Sequence, residues 1–202
     1  MEKQMTMNRT LVVLVAALST MSCGHRAFTK GAYQDPNQIQ MLSDKFNEND
    51  LQLIAKKLVA SLAGSPQFAQ IPGRPVILIG KFKNSTSEHI DLKSLSDKIQ
   101  VELVKLNKFK FQAKEVREEV AQEYEYQQSG YVDPSKAKGP GGQSSADYLM
   151  SGEISSIIQE VGADKLVYYK FTGKLTNLKS GELEWADEKE LRKQFEKQGV
   201  SW

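Results

Sequence analysis

The sequence predicts a single α+β domain: a mixed β-sheet with an antiparallel C-terminal meander, flanked by helices. Three observations lead there. Val76–Ile79 is a continuous apolar run, followed by an amphipathic helical pattern and the short Phe109–Phe111 segment, the path of a right-handed β-α-β crossover between parallel strands. Farther on, Tyr148–Ile158, Leu166–Leu178 and Glu182–Ala186 read as three strands joined by turns at Gly162 and Ser180-Gly181. The 202 residues, 40% hydrophobic and 26% charged, are enough for one domain with its own core and a segment outside it.

Taken in order, the chain opens with Lys3 and Arg9, then the apolar run Leu11–Leu18, then small residues leading to Cys23, the three-part layout of a secretory signal. A membrane-spanning helix needs about 20 apolar residues. Ser19, Thr20 and Ser22 interrupt this run well before that, so residues 1–22 are expected to be removed. Ser19-Thr20-Met21-Ser22-Cys23 resembles the lipobox of bacterial lipoproteins, which makes Cys23 the expected lipidation site; the competing reading is an ordinary signal followed by a free thiol. Each buried CH₂ of an acyl chain contributes about 0.8 kcal/mol, so several chains on one cysteine hold a protein on a membrane. Gly24 stands where an Asp retains enteric lipoproteins at the inner membrane, which predicts an outer-membrane anchor facing the periplasm.

From Cys23 to Asn47 no helical or alternating period is present, and this stretch reads as a flexible tether before a globular domain spanning residues 48–202. A first helix is expected to start near Asn49, with Gln52 three residues on. Leu51, Ile54, Ala55, Leu58 and Leu62 share one of its faces, and Gly64, Ser65 and Pro66 end it. After a Pro72-Gly73 turn, Val76–Ile79 reads as a central strand buried on both faces. Leu92, Leu95, Ile99, Leu103 and Leu106 write a second amphipathic helix capped by Asp91. A Glu-rich helix over Ala113–Gln128 and a Gly-, Pro-, Ser- and Lys-rich loop over Ser129–Ser145 follow.

The strand Leu166–Leu178 places Val167, Tyr169, Phe171 and Leu175 on one face and Tyr168, Lys170, Thr172, Lys174 and Thr176 on the other, one face core and one wet. Leu183 and Trp185 are expected to continue the buried face. A terminal helix, Glu188–Lys197, is expected to close the domain with Leu191 and Phe195 inward.

Lys and Arg total 27 against 25 for Asp and Glu, with no basic stripe interleaved with aromatics, which argues against nucleic acid as a partner. One cysteine permits no internal disulfide and no cysteine-based metal site. The two histidines, His25 in the tether and His89 in the loop after the first strand, have no companions for acid–base work. His89, Glu88 and Asp91 offer at most three metal ligands in one stretch, without the spacing that fixes a metal, and the Gly-rich loop lacks the ending of a phosphate loop. The chain is therefore expected to be no enzyme, and to have no catalytic residues, metal, cofactor or small-molecule substrate.

Binding to a macromolecular partner is what remains. The loop Asn84–Asp91 lies at the carboxyl end of the first strand, where α/β sheets place ligand sites, so Asn84, Ser85, Thr86 and His89 are candidate contact residues; a capped turn is the alternative reading. Tyr168 and Lys170 on the wet strand face are the second set.

As a set, these residues resemble the LpoB family of outer-membrane lipoproteins that activate penicillin-binding proteins. The resemblance is carried by Cys23, Asp50-Leu51-Gln52, Pro75–Gly80, the loop Asn84–Asp91, Asp97-Lys98-Ile99, Ala146-Asp147-Tyr148, Gly152–Ile157, Val167–Thr172, Ser180-Gly181 and Glu184–Glu188. It implies a fold similar to the N-terminal domain of TolB and to CsgG-like domains. It also implies a lipid-anchored periplasmic regulator that binds a bifunctional penicillin-binding protein and stimulates peptidoglycan synthesis. Two other readings stay open: a CsgG- or TolB-like envelope lipoprotein with secretion or assembly partners, and a periplasmic small-ligand receptor or enzyme.

Overall fold

A computed structural model describes residues 31–197 except Asn37, Leu42, Gln70 and Pro72. The expected signal, the lipidation site Cys23 and Pro72 of the expected turn lie outside the described residues. The chain divides into two units, Met1–Asp35 and Pro36–Trp202. Of the first, Gly31–Asp35 is described, exposed and without regular structure.

In the second unit the order of elements is α1 (Glu48–Ala63), the single-turn α2 (Pro66–Ala69), β1 (Val76–Ile79), β2 (Lys83–Ser85), α3 (Leu92–Lys105), β3 (Lys110–Phe111), α4 (Arg117–Gln128), β4 (Tyr148–Val161), β5 (Asp164–Asn177) and β6 (Leu183–Glu196). They form one mixed sheet in the order β3-β1-β4-β5-β6, with β2 also paired to β4. β1 is parallel to β3 and β4, β2 is parallel to β4, and β4, β5 and β6 form the antiparallel meander. The α+β class and the mixed sheet are those the sequence predicts.

Helix α1 starts at Glu48, one residue before the expected Asn49. Asn47 is its cap: the Asn47 side chain accepts from the amides of Asn49 and Asp50, and the Asp50 carboxylate accepts from the Asn47 amide. Asp at the third helical position closes this capping box in place of the usual Glu or Gln. Asp91 caps α3 in the expected way, accepting from the amides of Lys93 and Ser94. Ile54, Leu58 and Leu62 of α1 and Leu95, Ile99 and Leu103 of α3 are buried against Ile77, Met150, Ile154, Tyr169, Phe171 and Leu175 of the sheet. Each such side chain contributes about 1.5–3 kcal/mol on burial. An exposed ion pair contributes about 0–1 kcal/mol, so this one-sided core dominates the stability.

Room for the large rings comes from two glycines paired across β4 and β5, Gly152 and Gly173. A Cβ on Gly152 would stand 2.5 Å from the Phe171 ring, and one on Gly173 3.3 Å from Trp185. The β4–β5 turn holds Gly162 at φ +62, which a two-residue hairpin requires.

Three expectations are corrected. Residues 188–196 are strand, not helix: β6 pairs with β5 from Thr176↔Leu183 to Asp164↔Glu196. Leu191 and Phe195, four apart, share a face in either period, and the long open edge of β5 offers a ladder that overrides helix propensity. A bulge between Leu175 and Thr176 sets Leu183 opposite Thr176 on the wet side, where it is exposed, while Trp185 stays buried. β1 is not the central strand: it lies second from the sheet edge, and its burial alternates, with Ile77 and Ile79 buried and Val76 and Leu78 half-buried.

The segment before α1 is packed on the sheet. The Phe46 amide donates to Glu88 Oε2 at 3.0 Å, and the Phe46 ring meets Tyr169 edge-on at 5.6 Å. Lys193 Nζ donates to the Lys45 carbonyl at 2.8 Å, and the Tyr169 hydroxyl, which donates to Glu88 Oε1 at 2.5 Å, lies 3.4 Å from the Asp44 carbonyl. The Asp44 carboxylate pairs with Lys165 at 2.7 Å.

Candidate functional site

Strand alternation sends every second residue of β2, β4, β5 and β6 away from the helices, and no element of the second unit's described residues covers that face at its centre. Register makes rows across it: Lys83 faces Glu153, which faces Thr172; Ser85 faces Ser155, which faces Lys170, which faces Glu190. The rows border a shallow groove of about 430 Å³ lined by Lys81, Lys83, Glu153, Ser155, Lys170 and Lys174 among others.

The electrostatics of the groove are set by four lysines against one glutamate. Glu153 is occupied: it accepts from Ser85 Oγ at 2.6 Å and pairs with Lys83 at 2.9 Å. The Ser85 hydroxyl and then the Lys83 ammonium hold its carboxyl below the usual glutamate range. Among the described residues Lys81, Lys170 and Lys174 make no ion pair, so the groove presents net positive charge. Beside it the Tyr168 hydroxyl donates to Glu190 Oε1 at 2.6 Å, which pushes the phenol up to about 12.

Of the sequence-predicted site residues, the structure brings Ser85, Tyr168 and Lys170 to this one face. Asn84 and Thr86 are spent on their own turn: Asn84 Nδ2 donates to the Glu88 carbonyl, and Asn84 Oδ1 accepts from both the amide and the hydroxyl of Thr86. This is the geometry of the capped-turn reading. Asn84 and the exposed His89 line a separate cleft of about 630 Å³ at the carboxyl end of β1, bounded by the start of α3. Glu88 turns inward to Phe46 and Tyr169, and Asp91 caps α3, so neither carboxylate joins His89. Among the described residues no group of three or more His, Cys, Asp or Glu is placed to hold a metal ion.

Lys83, Glu153 and Ser155 were outside the predicted set. Glu153 and Ser155 fall on the same period-two face of β4 as Ser151, and that alternation was the available signal; the pairing of β2 with β4 had none, because three polar residues carry no hydrophobic pattern.

Comparison with known proteins follows the geometry. A family model described as peptidoglycan-synthase activator LpoB matches residues 50–191. Similar solved structures include the LpoB C-terminal domain from Escherichia coli, 14% identical with a TM-score of 0.44, covering 70% of this chain and 98% of that one. The LpoB C-terminal domain from Salmonella enterica is 14% identical with a TM-score of 0.41 and the same coverage, 70% and 98%. An NMR structure of E. coli LpoB is 15% identical with a TM-score of 0.42, covering 87% of each chain. No curated protein matches the chain.

Proposed function

The chain belongs to the LpoB family of peptidoglycan-synthase activators, and from that membership we propose that it binds and activates a bifunctional penicillin-binding protein from a lipid anchor on Cys23 in the outer membrane. The enzyme in this reading is the partner, and this chain is a regulator that performs no reaction of its own.

The observation that supports binding is the open sheet face, where among the described residues Lys81, Lys170 and Lys174 make no ion pair, beside Tyr168 and Ser85. A complementary partner surface is acidic. Long-range attraction of this kind raises association rates and fixes orientation more than it adds affinity. Glu153 is held by Lys83 and Ser85, and the Tyr168 hydroxyl by Glu190, which suits a docking surface.

Activation follows from differential binding. A domain that binds the active conformer of the synthase more tightly than the inactive one raises its occupancy, and about 5.5 kcal/mol of difference takes a two-state equilibrium from 1:99 to 99:1.

The test is glycan-chain synthesis by bifunctional penicillin-binding proteins with and without the full chain. Stimulation by the wild type, with most of it lost in the Lys170→Glu Lys174→Glu double variant, is the expected result. Stimulation by no synthase, or full stimulation by the double variant, rejects the reading. The anchor is tested by mass spectrometry of the mature N-terminus: acyl groups on Cys23 are expected, and an intact residue 1–22 segment rejects the anchor.

A further inference from the structure

β2 is the least secured element of the open sheet face. It is three residues long, all of them exposed, and among the described residues its pairing partner is β4 alone. Yet it carries Lys83 and Ser85, the two side chains that hold Glu153 in the groove. A short strand with no buried side chain belongs to the part of a protein that opens first, unless the chain on either side of it is pinned.

Both sides are pinned, by different means. Before β2, the buried Phe82 ring packs on Phe171 with centroids 5.3 Å apart. After it, the fixed point is Glu88. Asn84 of β2 donates from Nδ2 to the Glu88 carbonyl at 2.7 Å, and the Thr86 hydroxyl lies 3.3 Å from the same oxygen. The Glu88 side chain passes to the helix side of the sheet, where its carboxylate accepts from the Phe46 amide at 3.0 Å and from the Tyr169 hydroxyl.

A half-buried carboxylate keeps its place only while donors replace the water it has lost. One of the two donors here, the Phe46 amide, belongs to the segment ahead of α1, 42 positions away in sequence. Phe46 is seated in turn by its ring on Tyr169, by the Lys193 bond to the Lys45 carbonyl and by the Asp44–Lys165 pair. Contacts in series therefore join this segment to the groove: Phe46 to Glu88, Glu88 to Asn84, and β2 to Glu153.

We propose that Glu88 is a positioning residue of the docking face. With Phe46 seated on it, the loop after β2 is fixed, and Lys83 and Ser85 stand in line with Glu153. With Phe46 unseated, Glu88 turns to solvent and β2 loosens from β4. The segment Asp44–Phe46 thereby sets how firmly the groove is built. The inference rests on the docking role proposed above for the open sheet face.

Amide hydrogen exchange of the full chain reads β2 directly. In Glu88→Ala, exchange over Lys83–Ser85 is expected to rise about tenfold, the equivalent of one hydrogen bond to a charged group, while α3 exchanges as in the wild type. Smaller rises are expected in Phe46→Ala, which keeps the amide, and in Glu88→Gln, which keeps one acceptor. Asn84→Ala cuts the next contact at an exposed residue and is expected to loosen β2 as well. The Glu88→Ala Asn84→Ala double variant is expected to go no further than the larger single one, because both cut the same series. In glycan-chain synthesis, Glu88→Ala is expected to raise several-fold the concentration of chain that gives half-maximal stimulation and to leave the maximum unchanged, with Glu88→Gln in between.

Unchanged exchange over Lys83–Ser85 in both Glu88→Ala and Asn84→Ala overturns the proposal. So do additive effects in the double variant, and so does a rise shared equally by β2 and α3, which makes Glu88 a support of the whole fold. A loosened β2 with the wild-type half-maximal concentration overturns its link to docking. Stimulation of no synthase by the wild type rejects the docking reading itself; exchange over Lys83–Ser85 then still upholds or overturns the hold of Glu88 on β2.

Discussion

Lys193 of β6 and Asp50 of α1 form an ion pair almost wholly inside the protein, with the ammonium 2.5 Å from the carboxylate and the side chains 5% and 6% exposed. Removing two charges from water costs several kcal/mol per ion unless every hydrogen-bonding position is used. Here they are used: Lys193 also donates to the Lys45 carbonyl and lies 5.5 Å from the centre of the Tyr169 ring, and Asp50 accepts from the Asn47 amide.

Breaking the pair from one side therefore leaves a buried charge without its partner. Lys193→Met is expected to lower the unfolding free energy by about 3–5 kcal/mol in urea titration. Adding Asp50→Leu to it is expected to recover part of that loss, because the orphaned carboxylate goes with it. A single variant as stable as the wild type would contradict this account of the pair.

Gly152→Ala is expected to destabilise by about 1–3 kcal/mol, the cost of overpacking a filled core, since the new methyl would meet Phe171 and Phe82. Gly142→Ala, with nothing within 4 Å, is the matched control and is expected to leave the unfolding midpoint unchanged. Thermal unfolding of the two variants side by side separates them.

Asn47→Ala removes the side-chain oxygen that accepts two amides at the start of α1. The expected loss is about 1 kcal/mol. Asn47→Ser, which keeps an acceptor, is expected to lose less than Asn47→Ala in the same urea titration.

The Tyr168 phenol titrates near 10 when unperturbed and is raised to about 12 by its hydrogen bond to Glu190. A folded pKa above the unfolded one means that the stabilisation is complete below pH 10 and is lost as pH rises toward 12. Ultraviolet difference titration of the wild type against Tyr168→Phe isolates this phenol from the other six tyrosines. In Glu190→Gln its midpoint is expected to fall toward 10.

Periodicity revealed α1, α3 and β5 because their buried faces repeat cleanly: Leu95, Ile99 and Leu103 at helical spacing, Val167, Tyr169 and Phe171 at strand spacing. It failed on β6, where Leu191 and Phe195 satisfy both periods and only the neighbouring edge of β5 decides. For the site, Tyr168 and Lys170 were legible as the wet side of an alternating strand. The Lys83–Glu153–Ser85 cluster was not, because it depends on β2 and β4, separated by more than sixty residues, lying side by side. His89 stands at an exposed position, and its acidic neighbours Glu88 and Asp91 are engaged elsewhere.

The fastening of residues 44–46 has a mechanical side. A pull on the chain ahead of Asp44 meets the Asp44–Lys165 pair, the Tyr169 hydroxyl, the Lys193 ammonium and Glu88 within three consecutive residues. These attachments share the tension and pass it sideways into β5 and β6, whose fourteen-residue ladders resist in shear. Ahead of them the Asn49–Gln40 and Gln52–Pro36 hydrogen bonds tie the leading chain to the first turns of α1, and once these give way the load passes to the sheet rather than to the helix.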